Sequence, residues 1–104
     1  MKAGTKAKLQ EILFEYPYLE KEARKAEEGS RRAELLLDRK EAIDKLLDNS
    51  GSDSLREAIN LYYFSKPRRY TWQGVAYECN LHPSQLSRAH TDFLHRLAKE
   101  LGEM

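Results

Sequence analysis

The chain has little of what marks a secreted, membrane or metal protein. Its 104 residues include a single cysteine, Cys79, so no disulfide can form within it. No apolar run approaches the length that spans a bilayer. The opening Met1-Lys2-Ala3-Gly4-Thr5-Lys6 leads into no apolar signal core. The expectation is a soluble protein of a reducing cytoplasm. Prolines number three and glycines five, and neither a glycine-rich phosphate loop nor a proline-rich tract is present. Charge of one sign is also missing, because 18 basic and 17 acidic side chains leave a net of +1.

What is there favours helix. Leu, Ala, Glu, Lys and Arg dominate, and an aromatic content of 10% is too high for a disordered tail. The length suits one compact core or a small domain with a helical appendage. The near-zero net charge hides an asymmetry. Residues 1–53 carry 11 basic and 12 acidic groups, whereas between Lys66 and Lys99 there are 6 basic and 2 acidic. A mild positive bias therefore sits on the second half.

From Lys6 onward, Leu9, Ile12, Tyr16, Leu19, Ala23 and Ala26 follow steps of three and four, a heptad pattern. Pro17 interrupts it, because its ring clashes with the carbonyl four residues back, and the expectation is that one helix ends near Tyr16 and another opens at Pro17. Gly29-Ser30 is a joint, with Ser30 as helix N-cap. Residues 31–48 form a second periodic segment with Ala33, Leu36, Ile43 and Leu47 on one stripe, Leu37 and Leu46 beside it, and a solvated face of alternating charge. Asn49-Ser50-Gly51-Ser52 reads as a flexible linker. Ser54-Leu55-Arg56-Glu57 then reads as a capping box, opening a helix to about Phe64 that Lys66-Pro67-Arg68-Arg69 closes.

The most informative stretch runs from Thr71 to Leu86 and predicts two short helices joined by a tight turn. Thr71 caps the first. Asn80 sits where the turn requires a left-handed backbone, which asparagine tolerates. His82 is placed as N-cap and Pro83 as first residue of the last helix, which buries Leu86, Ala89, Phe93, Leu94 and Leu97 and is stopped by Gly102. With those residues inward, Ser84, Gln85, Ser87, Arg88 and Thr91 face outward, and such short or planar hydrogen-bonding groups suit base edges in a DNA major groove. Gln85 fits an adenine edge and Arg88 a guanine. Lys66, Arg68, Arg69 and Arg96 are candidates for phosphate neutralisation, together with the backbone amides at Thr71 and Trp72. The rings of Trp72 and Tyr70 are expected to wedge the helices together.

Other chemistry finds less support. Cys79-x-x-His82 has ligand-like spacing, but His90 and His95 diverge on their helix and Cys79 falls on the buried side of the turn, so no metal and no cofactor is expected. A buried thiol has its ionisation suppressed, and the carboxylates of the first half alternate with bases outside any apolar pocket. The reading is of a non-enzyme.

The pattern Val75-Ala76, Cys79-Asn80-Leu81, Leu86, Phe93-Leu94 and Leu97 resembles region four of bacterial sigma factors. Leu61-Tyr62-Tyr63-Phe64, the short basic loop, Tyr70-Thr71-Trp72 and the upstream Tyr16-Pro17-Tyr18 resemble small phage and prophage regulators, the RinA- and ArpU-type late-gene activators. Gly74 and His82 depart from that pattern, as do Pro83 and Ser84, so no target sequence transfers. The resemblance implies double-stranded DNA binding by the last helix and control of phage genes in a bacterial cytoplasm. The expected architecture is all-α, with a charged arm (1–48) that dimerises or contacts bacterial RNA polymerase, a linker (49–53), and a wingless C-terminal helix-turn-helix domain (54–104) of three to four helices. A small DNA-packaging subunit of terminase type and a protein adaptor that never touches DNA are the alternatives.

Overall fold

A computed structural model describes residues 2–26, 29–65 and 71–102. The described residues are all-α, with no strand among them. Helix α1 spans Ala3–Lys25, α2 spans Arg31–Asp48, α3 spans Asp53–Ile59 and runs on into a π-helical turn at Asn60–Phe64, α4 spans Trp72–Glu78, and α5 spans Pro83–Leu101.

Helix α1 corrects the expected break. It is continuous, with Pro17 inside it. Pro17 has no N–H to give the Leu13 carbonyl, so the helix is retained against local preference. Tertiary contacts supply the reason. Leu9, Ile12 and Leu13 before the proline and Leu19 and Ala23 after it all enter one core with Leu36, Ile43 and Leu47 of α2. Beside the proline, the Tyr16 hydroxyl donates to Asp44 of α2, which also accepts from Lys40 at 2.7 Å. Burial, then Asp44, push the Tyr16 phenol up to about 12. Two helices pinned on both sides of a proline leave it no room to end the first.

Local signals set the other ends. Gly29 has φ 75°, and Ser30 Oγ accepts from the Ala33 amide at 3.1 Å, which opens α2. The second correction concerns α3. Its cap is Ser52, whose Oγ accepts from Leu55 N at 3.2 Å, and Ser54 lies inside the helix. Starting at Asp53 puts an acidic side chain in the first turn, which the helix dipole favours. Arg56 reaches back to donate to the Leu47 carbonyl at 3.2 Å, covering one of the orphan acceptors at the end of α2.

The four residues 49–52 join two halves that share their apolar interior. Leu55, Ile59 and Tyr63 from one side, and Phe93, Leu94, Leu97 and Ala98 from the last helix, pack into the same cluster as α1 and α2. The π turn places three consecutive rings against α1. Tyr62 and Tyr63 lie 5.8 and 4.7 Å from Phe14, and Phe64 stacks on Tyr16 at 4.3 Å. A second, smaller cluster of Ala58, Val75, Ala76, Cys79 and Leu86 ties α4 to α3 and α5.

Candidate functional site

The site is built by two helix ends that meet at Asn80. At its start, α4 is capped by Thr71 Oγ1, which accepts from Gly74 N at 3.1 Å. At its end, Leu81 N bonds the Ala76 carbonyl at 2.8 Å and Asn80 N bonds the Tyr77 carbonyl at 3.2 Å. That pair is the Schellman arrangement, with Asn80 as its left-handed residue at φ 54° and Leu81 packing onto the small cluster. Among the described residues Asn80 is the one non-glycine with positive φ.

Helix α5 begins two residues later under a reciprocal cap. His82 Nδ1 accepts from Ser84 N at 3.2 Å, and Gln85 Oε1 accepts from His82 N at 3.1 Å. The Ser84 hydroxyl sits 2.7 Å from the same Nδ1. Pro83 occupies the first helical position, and Gly102 ends the helix at φ 69°. With its register fixed at both ends, α5 turns Leu86, His90, Phe93, Leu94, Leu97 and Ala98 inward. Ser84, Gln85, Ser87, Arg88 and Thr91 are all exposed.

The site residues named from sequence therefore fall into distinct states. Ser87, Arg88 and Thr91 stand on the open face with their groups presented to solvent. No ion pair among the described residues uses Arg88. Gln85 is exposed, but its acceptor oxygen is committed to the cap. A two-pronged contact with adenine needs both ends of the amide, so the closed cap leaves the oxygen one lone pair and a direction already set by the His82 amide. Ser84 is likewise engaged with His82. Arg96 pairs with Asp92 at 3.1 Å on the surface, a weak and exchangeable contact. Lys66, Arg68, Arg69 and Tyr70 lie outside the described residues. Trp72 is half-buried, its ring stacked on Tyr62 at 4.0 Å and against His90 at 4.2 Å, which is the wedge expected of it.

Two features had no counterpart in the sequence reading. The first is His90, buried beside the hydroxyl of the equally buried Tyr63. Gln10 Nε2 donates to the Tyr63 hydroxyl at 3.3 Å, and that hydroxyl lies 2.6 Å from His90 Nε2. The chain is satisfied when Tyr63 donates to a neutral imidazole carrying its proton on Nδ1. Burial, then the Lys6 ammonium, lower His90 from 6.5 to about 4, and burial raises the Tyr63 phenol. The available signal was position: His90 stands four residues after Leu86 and four before Leu94, on the apolar stripe. The second is that Lys6 and Gln10 of α1 line a cleft together with Ser87 and Thr91 of α5. Nothing local in the sequence announces that approach.

Cys79 is buried, and burial raises its thiol above the usual range, with Glu57 and Glu78 adding to the effect. Among the described residues no three His, Cys, Asp or Glu side chains converge as metal ligands, and no helix is long and apolar enough to cross a membrane. No protein-family model, curated protein or solved structure matches the chain.

Proposed function

We propose that the chain is a sequence-specific, non-catalytic DNA-binding regulator of transcription that reads duplex DNA with the outer face of α5. The observation that carries this reading is the exposed row of Ser87, Arg88 and Thr91 on a helix whose start is set by the Asn80 turn and the His82–Gln85 cap. Short hydroxyls and one unpaired guanidinium, held on a rigid element, are the groups base recognition uses. Arg88 suits a guanine edge, Ser87 and Thr91 neighbouring edges, and Ser84 and Gln85 the flank nearest the helix start. Arg96, the Thr71–Trp72 segment and the basic residues Lys66, Arg68 and Arg69 supply phosphate contacts. The resemblance to RinA- and ArpU-type phage activators and to sigma region four supports the same reading.

Arg88→Ala is expected to cost about 1–3 kcal/mol at the preferred site and to relax preference at one base pair. A gel-shift titration on sites selected from randomised duplexes measures both. Unchanged affinity together with unchanged preference removes Arg88 from the reading role.

A second reading, of a protein adaptor, is favoured by one observation. Leu35, Leu37, Tyr18 and Tyr77 are large apolar or aromatic side chains left exposed, the last at 82%. In the regulator, the exposed flanks of α2, with Leu35 on one side of buried Leu36 and Leu37 on the other, are where a second copy of the chain or RNA polymerase docks. In the adaptor, such contacts are the whole function. Salt separates the two, since DNA affinity falls steeply as counterions compete and apolar docking does not.

A further inference from the structure

A cleft of about 200 Å3 opens where the start of α1 approaches α4 and α5. Lys6, Gln73, Ser87 and Thr91 form its exposed walls, and Trp72 and His90 form its floor. Every polar wall residue can donate a hydrogen bond, one is a cation, and no carboxylate lines the cleft. Three larger hollows elsewhere differ in this respect. One holds Glu41, Asp44 and Asp48, another Glu20, and the third Glu78. A recess of donors without an acid is chemically matched to an anionic oxygen.

We infer that this cleft seats a backbone phosphate of duplex DNA, gripped by Lys6 from α1 together with Gln73 of α4, with Ser87 and Thr91 on its border and left to the bases. The inference rests on the reading of α5 proposed above and adds to it a role for the first helix. Ser87 and Thr91 border both the cleft and the outer face of α5, so a strand lying along that face passes over the Lys6 ammonium. No ion pair among the described residues engages Lys6. Its charge is felt at the cleft floor, where it helps keep His90 neutral. Lys2, the exposed N-cap residue four positions earlier, adds a second cation at the start of α1. The arm thereby supplies charge that the outer face of α5 carries sparsely, with Arg96 opposed by Asp92.

The test is fluorescence anisotropy of the full chain with a labelled duplex of randomised sequence over a series of salt concentrations. Lys6→Ala is expected to flatten the dependence of log affinity on log salt by about one unit, the loss of one phosphate contact. The loss should fall equally on all sequences, Lys6→Arg should restore the slope, and circular dichroism should show the helix content of each variant unchanged. Trp72, the single tryptophan, reports from the cleft floor and should change emission on binding in the parent but less in Lys6→Ala. If the parent binds DNA and Lys6→Ala leaves affinity and slope unaltered, the cleft assignment is overturned while the α5 reading stands. If the parent binds no duplex even at low salt, both are overturned.

Discussion

Helices α4 and α5 begin on side-chain caps within their own turn of chain, whereas α1 begins on none. Thr71 caps α4, Asn80 closes it, His82 and Gln85 open α5, and Gly102 stops it. Helix α1 starts at Lys2 with no side-chain cap and carries Pro17 in its interior, yet it is the longest helix in the molecule among the described residues. The difference shows two sources of helical order. One is short-range hydrogen bonding that sets register, which a recognition surface needs. The other is burial of Leu9, Leu13 and Leu19 against distant residues, which tolerates a local defect.

The contrast can be broken most severely in the core of α1. Leu13→Ala is expected to lower stability by about 2–5 kcal/mol, read by urea denaturation, because no local signal compensates the lost packing. A loss below ~1 kcal/mol would mean that α1 is held by something other than this core.

Acid attacks the other side of the junction, where α5 meets α1 through His90. The folded imidazole titrates near 4 and the unfolded one near 6.5, so the unfolded chain binds the proton more readily. This contribution is complete above pH 6.5 and is lost progressively as pH falls toward 4, on the order of 3 kcal/mol in all. His90→Leu should remove that part of the pH dependence in urea melts at neutral and acid pH. An unaltered profile would place the imidazole in water rather than beside Tyr63.

Pro17→Ala sharpens the comparison in the opposite direction. Restoring the amide donor inside α1 should stabilise the fold by roughly 1–3 kcal/mol, since an interior proline costs about 3 kcal/mol at most sites. A destabilised variant would show that the proline ring, next to Tyr16 and its bond to Asp44, serves the packing. The smallest effect belongs to the local half. Asn80→Ala should cost about 1 kcal/mol through its left-handed backbone, and Asn80→Gly should cost nothing.

The same division explains what could be read from residues alone. The Thr71, Asn80, His82, Pro83 and Gly102 signals were legible because each acts within four residues of its position. The Pro17 break and the Ser54 cap were misread because α2 and the Ser52–Asp53 start outweighed an equally plausible local pattern. The outward set on α5 followed from periodicity. What Gln85 can offer did not, since its oxygen turns back to the His82 amide. The approach of Lys6 to Ser87 and Thr91 depends on how α1 lies across α5, which no short window encodes.

The central claim is that the outer face of α5 is where DNA is read. Amide chemical-shift mapping of the full chain during titration with a selected duplex tests it residue by residue. The account predicts the largest changes at Ser84, Ser87, Arg88 and Thr91, with Lys6 following. Changes confined to the α2 surface around Leu35 and Leu37, with α5 silent, would contradict it.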